Sequence, residues 1–196
     1  MELPLAPSAA PERADAARNR ERILCAAQRL WAERGVSCTS MDAIAAEAGV
    51  GKGTLFRRFG DRSSLALAVL DVRERALQDA VLTGPPPLGP GAPPVERLAA
   101  FGSAVLAFTA EQLDLVLEAE VHSGGRWMRS APQAVRRLHL QVLVSAARPD
   151  CDVEYATDVL ADALSAQLLA HQLREREMPL ERLQAGYADL VERLLG

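Results

Sequence analysis

Apolar positions recur at helical spacing along most of the chain, and no run alternates strictly as a half-buried strand would. The spacing predicts a first helix over about 16–34, with Ile23, Leu24, Ala27, Leu30 and Trp31 on one stripe and Gly35 as its stop. The pattern then shortens into two small helices. Met41, Ile44, Ala45 and Ala48 share a face of the first, with Thr39 as expected N-cap and Asp42 as the acidic half of a capping box. Gly49 is placed for a left-handed helix end, Val50 plugs the turn, and Gly51 serves as the next N-cap. The second small helix, about 52–59, sets Leu55 and Phe59 four apart on its inner face and turns Lys52, Gly53, Thr54, Arg57 and Arg58 outward. A longer helix starts at Asp61, with Leu65, Val69, Val72, Ala76 and Ala80 as its stripe. It ends in 83–94, TGPPPLGPGAPP, where six prolines and three glycines exclude regular structure. Further helices are expected over 95–110, 111–123, 132–148, 152–176 and 180–195, broken at GGRWMRSAP, at Arg148 to Asp150 and at Pro179. The fold is therefore read as all-α, about nine helices in total, with a small three-helix head followed by a larger helical domain.

Composition trims the possibilities. At 196 residues the chain holds ample core, and its 49% hydrophobic content includes no window near the ~20 uninterrupted apolar residues of a membrane span. Residues 1–15, MELPLAPSAAPERAD, are Pro/Ala-rich and aperiodic, which predicts a disordered arm without the apolar run of a signal peptide. Cys25, Cys38 and Cys151 are odd in number and widely spaced, so neither a disulfide framework nor a zinc site is indicated, and a cytoplasmic location is expected. The formal net charge of −4 is unevenly spread: residues 1–62 hold 10 Arg+Lys against 8 Asp+Glu, and residues 63–196 hold 12 against 18. A mildly basic end on an acidic body fits a nucleic-acid-reading head, because phosphate contacts are local. No HExxH, P-loop or GxSxG motif occurs and the three histidines are dispersed, so an enzyme, a metal and a cofactor are not expected.

Two small helices joined by a glycine turn, the second offering cations and a hydroxyl, form the arrangement that seats a helix in the major groove of DNA. The residues that carry it, TSMDAIAAEA followed by GVGKGTLFRRFGDR, closely resemble the recognition region of tetracycline-repressor (TetR) family transcriptional regulators. The likeness covers residues 18 to about 70, and length and helical character extend it loosely to the end. It implies a DNA-binding domain over 16–62 and a ligand-binding and dimerisation domain over 63–196.

By that resemblance Thr54 stands where a hydroxyl touches a base or phosphate, and Lys52 and Gly53 lie in the turn that points into the groove. Arg57 is the candidate for bidentate recognition of guanine. Arg58 and Arg62 take positions of phosphate contacts, and Thr39 or Ser40 adds contacts at the start of the preceding helix. Phe56 replaces a tyrosine usual in the family; contact with a thymine methyl is its substitute role. Arg18 and Arg22, near the start of the first helix, either reach phosphates or stand as solvated arginines.

The resemblance further implies a homodimer through the last two helices, with Val159, Leu160, Leu164 and Leu168 on one face and Leu183, Tyr187, Leu190 and Leu194 on the other; a monomeric body that buries the same stripes internally is the alternative. A two-fold pair would read a palindromic operator in double-stranded DNA. An unknown small-molecule effector is expected among the helices of 95–176, against Phe101, Phe108, Trp127 and Tyr155, with Glu118, His122, His139 and Gln167 as polar partners. The function expected is a repressor released by that effector, and no membrane is involved. The alternative is a helical adaptor whose basic head binds a protein.

Overall fold

The computed structural model describes the backbone of residues 9–196 and the side chains of residues 15–196. The described residues are helical with no strand, and they divide into two compact units, Met1–Val69 and Leu70–Gly196. The arm expected over 1–15 lies outside the described residues up to residue 8; from Ala9 the chain is already in α1 (Ala9–Arg34). The alanines and charged residues of this segment favour a helix, and Pro11 falls in its first turn, where the missing N–H has no intrahelical partner.

In the first unit α1 packs on α2 (Met41–Glu47), α2 on α3 (Lys52–Phe59), and α4 (Arg62–Thr83) begins after Asp61, whose carboxylate accepts from the Ser64 N–H at 2.7 Å. The core joins Ile23, Ala27 and Leu30 of α1, Ile44 and Ala45 of α2, Leu55 of α3 and Leu65 and Val69 of α4. The N-cap of α2 is Ser40, not Thr39: Ser40 Oγ accepts from the Ala43 N–H at 3.1 Å. Thr39 is instead 1% exposed, and its hydroxyl donates to the Gly35 carbonyl at 2.8 Å. Asp42, freed from capping, pairs with Lys52 across the turn. Gly49 (φ 61°) and Gly60 (φ 80°) end the two short helices in the left-handed region, where any other residue is strained.

In the second unit α5 (Pro94–Glu111) is the central element, packed against α10 (Leu180–Leu195), α7 (Ala131–Ala147), α9 (Ala166–Ala170) and α6 (Leu113–His122). Its buried Leu98, Phe101, Val105 and Leu106 meet Leu140, Leu143 and Val144 of α7 and Leu183, Tyr187 and Val191 of α10 in one core. Among the described residues no single helix is long and apolar enough to cross a membrane, and α5 and α6 together are bent by 93°. The single helix expected over 152–176 is broken. α8 spans Val153–Asp162, and α9 restarts after Ser165, whose Oγ accepts from the Leu168 N–H, before running into a π-helical turn over His171–Glu175. A second cap comes from α6: the Glu120 carboxylate accepts from the N–H groups of Ala166 (3.1 Å) and Gln167 (3.3 Å).

The stripe expected on α4 is also corrected beyond Leu70. Val72 is 40% exposed and Ala76 faces water, whereas Leu70, Glu74 and Val81 are buried. A carboxylate thus occupies a core position of a helix that the apolar pattern alone had turned the other way.

Candidate nucleic-acid interface and ligand cavity

α3 is fixed from within. Gly51, extended at φ −66° and ψ 143°, offers its carbonyl to the N–H groups of Thr54 (2.9 Å) and Leu55 (3.2 Å), and Leu55 anchors the helix at 0% exposure. Half a turn away lies an outer face of Lys52, Gly53, Phe56, Arg57 and Arg58, all exposed, with Thr54 half-buried at its edge. A Cβ on Gly53 would meet nothing within 4 Å, so the backbone there is open to close approach. Arg57 and Arg58 form no hydrogen bond or ion pair with any described residue, whereas the charge of Lys52 is matched by Asp42. Phe56, 44% exposed between these cations, presents an aromatic ring to solvent.

Three cations and a hydroxyl expected near this face hold the head together instead, wholly or in part. The Arg22 guanidinium donates to the carbonyls of Ala48 (2.7 and 3.0 Å) and Gly49 (2.7 Å), so it closes the C-terminus of α2 rather than reaching outward. Arg18 pairs with Asp15. Arg62 is half-buried, with Nη1 donating to the Val36 carbonyl at 3.4 Å. Thr39, turned inward to Gly35, has no outward hydroxyl; Ser40 beside it is exposed at the start of α2.

The second unit contains a cavity of about 260 Å³ between the C-terminal half of α4, α5 and α7. Leu77, Val81 and Leu82 of α4, Phe101 of α5 and Val135, Leu138 and Val142 of α7 supply its hydrocarbon. Glu74, Gln78, Arg136 and His139 also line it. Glu74 and Arg136 form a buried ion pair, Nε donating to Oε1 at 2.5 Å, and the Arg136 guanidinium lies 5.4 Å from the Phe108 ring centroid. Burial raises the Glu74 pKa against the pull of Arg136, and burial lowers that of Arg136 against the pull of Glu74. His139 packs on Phe101 with ring centroids 4.8 Å apart; burial, and then the charge of Arg97, hold its pKa at about 4, so the ring is neutral near pH 7.

Of the eight residues expected to bind a ligand, Phe101 and His139 line this cavity and Phe108 stands under Arg136. The others are elsewhere. Glu118 and His122 face one another on α6 at 3.5 Å. Trp127 is buried in the α6–α7 connection, its backbone N–H donating to Ser123 Oγ at 2.9 Å. Tyr155 is 70% exposed on α8, and Gln167 is exposed at the start of α9. The residues missed are Glu74, Leu77, Gln78, Val81, Leu82, Val135 and Arg136. Their signal was a charged residue on each of two apolar stripes, Glu74 between Leu70 and Leu77 and Arg136 four before Leu140.

Comparison with known proteins agrees with this anatomy. Residues 23–69 match the family profile of bacterial regulatory proteins, tetR family, ending where the first compact unit ends. An HTH-type transcriptional regulator of Staphylococcus aureus (strain bovine RF122) is 29% identical over 187 residues, 92% of this chain and 98% of that protein. For a second such regulator, from strain USA300, identity is 48% but confined to 58 residues, 30% of this chain and 31% of that one. The solved structure of the transcriptional regulator FadR from Bacillus subtilis in complex with stearoyl-CoA is similar in fold, with a TM-score of 0.59 at 15% identity over 87% of this chain and 96% of that one. The outward basic helix thus sits on a helix-turn-helix head that matches bacterial regulatory proteins of the tetR family over residues 23–69, within an all-helical frame similar in fold to a solved transcriptional regulator.

Proposed function

We propose that the protein is a cytoplasmic repressor that binds a palindromic operator as a homodimer and leaves it when a small molecule occupies the cavity of the second unit. The observation that carries the first half is the outer face of α3, where Arg57 and Arg58 stand exposed beside Phe56, with no partner among the described residues, while Leu55 locks the helix from behind. Arg57 reads a guanine edge, Arg58 fixes register on phosphate, Thr54, Lys52, Gly53 and Ser40 line the approach, and Arg62 adds charge at the margin. A two-fold pair is needed because one eight-residue helix spans too few base pairs for a specific site. Its contact surface is the exposed apolar side of α8 and α10, with Val159, Tyr155 and Leu190.

Release rests on α4, one helix from Arg62 to Thr83, whose later half carries Glu74, Leu77, Gln78 and Val81 on the cavity wall. A ligand that prefers one placement of this half lowers operator affinity by its differential binding to the two states. The FadR complex, which holds stearoyl-CoA, supports a ligand-responsive second unit.

The test is selection of bound sequences from random duplexes. A two-fold consensus lost in the Arg57→Ala/Arg58→Ala variant is expected. Retention of no duplex at low salt overturns the reading and favours a head that binds protein.

A further inference from the structure

Resting on the reading of the second unit as a sensor, we infer that its effector is an uncharged, predominantly hydrocarbon molecule of about ten non-hydrogen atoms, seated among Leu77, Val81, Phe101, Leu138 and Val142. Four observations carry this.

The first is size. A cavity of 260 Å³ would hold roughly nine waters at their liquid volume of about 30 Å³ each, which suits a compact molecule and not a long acyl chain with a nucleotide. The second is the lining, which comes from three helices and is mostly hydrocarbon, with Gln78 as an uncharged polar group beside Glu74, Arg136 and His139. Its mouth stays apolar where it meets water: Leu82 is 61% exposed, Leu138 60% and Val142 56%. Single exposed apolar residues are ordinary, but three around one opening are a surface that an apolar ligand would cover.

The third is charge. The two ionised groups on the wall, Glu74 and Arg136, cancel one another. Their remaining buried atoms, Glu74 Oε2 and Arg136 Nη2, have no hydrogen-bond partner among the described residues, and neither does His139 Nε2. All three atoms are buried although their residues line the cavity, so a charged head seated there meets none of them exposed. The remaining nearby cation, Arg97, is not on the wall; its Nη2 donates to the Val81 carbonyl at 3.4 Å, and its buried Nε has no partner among the described residues. A cationic or anionic ligand would therefore enter a low-dielectric site with no free counter-charge. The fourth is His139, neutral against Phe101 and so an aromatic neighbour rather than a charge.

Three probes of one chain length separate the possibilities: 1-octanol, octanoate and octyltrimethylammonium, each titrated into the full chain without DNA while melting temperature and binding heat are followed. A ligand of the native state raises the melting temperature by mass action. Octanol is expected to do so, with the two ions at least tenfold weaker. Tighter binding of either ion, or of none of the three, overturns the inference. Val142→Trp and Leu138→Trp, both at the open mouth, are each expected to remove the octanol shift; a shift that persists in whichever variant folds overturns the location. Failure here is distinct from failure of the repressor reading. Octanol binding that leaves duplex retention unchanged would sink ligand release while the effector class stands, and operator binding with no octanol response would do the reverse.

Discussion

Arg22 of α1 grips the end of α2 at Ala48: its Nε and Nη2 donate to that carbonyl at 3.0 and 2.7 Å, and Nη2 also reaches Gly49 at 2.7 Å. The C-terminal carbonyls of a short helix are left without intrahelical partners, and a cation there both satisfies them and suits the helix dipole. The turn that leads into α3 starts at Gly49, so this clamp bears on the placement of α3. Arg22→Gln is expected to cost the head about 1–2 kcal/mol, the scale of hydrogen bonds to a charged donor at a partly exposed site. Trp31 in the first unit and Trp127 in the second are both buried, so a Trp127→Phe background lets urea unfolding of the head be followed by Trp31 fluorescence alone. Unchanged head stability would show that water replaces the clamp at no cost.

On the proposed reading, Arg57 and Arg58 of α3 divide the labour, and the division is measurable. Arg57→Ala should cost about 1–3 kcal/mol on the best operator and relax preference at one base pair per half-site. Arg58→Ala should weaken all duplexes alike and lower the salt slope by about 1 per head. Fluorescence anisotropy across a salt series on operator and scrambled duplexes separates the two. Equal losses on both duplexes for Arg57→Ala would remove it from base reading.

Gly102 of α5 and Tyr187 of α10 meet so closely that a Cβ on Gly102 would stand 2.0 Å from Tyr187 Cε1. Two effects oppose one another in Gly102→Ala. Alanine gains up to about 1 kcal/mol of helix propensity, whereas forcing a carbon into a packed ring costs about 1–3 kcal/mol. Tyr187 is 4% exposed and packed in the core, so the clash is expected to win and the melting temperature to fall. Tyr187→Leu in the same chain should return part of the loss, a coupling that a double-mutant cycle reads directly.

How far the sequence discloses this anatomy depends on whether the deciding contact is local. The register of α3 is legible because Leu55 and Phe59 are four apart and glycines punctuate both ends. The N-cap of α2 is not, since Thr39 and Ser40 are adjacent hydroxyls and the choice falls to a carbonyl in the preceding turn, Gly35. The later half of α4 misleads because its alanines fit either face, while the residue that marks the buried one, Glu74, is explained by Arg136, 62 positions on. The restart at α9 is half legible: Ser165 is a local cap, but Glu120 caps it from α6.

Removing a counter-charge from the head should strengthen it on DNA. Lys52 is held by Asp42, both more than half exposed, so part of its charge is spent within the protein. Asp42→Asn frees the ammonium and removes a carboxylate beside the groove, with a stability loss within the ~0–1 kcal/mol of exposed pairs. The expected result is tighter binding to operator and scrambled duplexes alike, with a steeper salt dependence. Unchanged affinity at low salt would place Lys52 away from the phosphates.

The cavity leaves a mark on acid stability. His139, held at about 4 first by burial and then by Arg97, takes up its proton later in the folded chain than in the unfolded one, where the ordinary value is 6.5. Its contribution is therefore complete above pH 6.5 and is lost as pH falls toward 4. Glu74 acts in the opposite sense: its pKa is raised by burial, so it binds a proton in the folded state before the unfolded chain does, and falling pH favours folding through it. Comparing the parent with His139→Gln cancels the Glu74 part. Urea midpoints measured from pH 7 to pH 4.5 should fall more steeply in the parent than in the variant, because only the parent must hold an imidazole neutral against a rising proton activity. Parallel curves would mean that the ring charges freely where it stands, and the cavity would then accept a cation that its wall otherwise excludes.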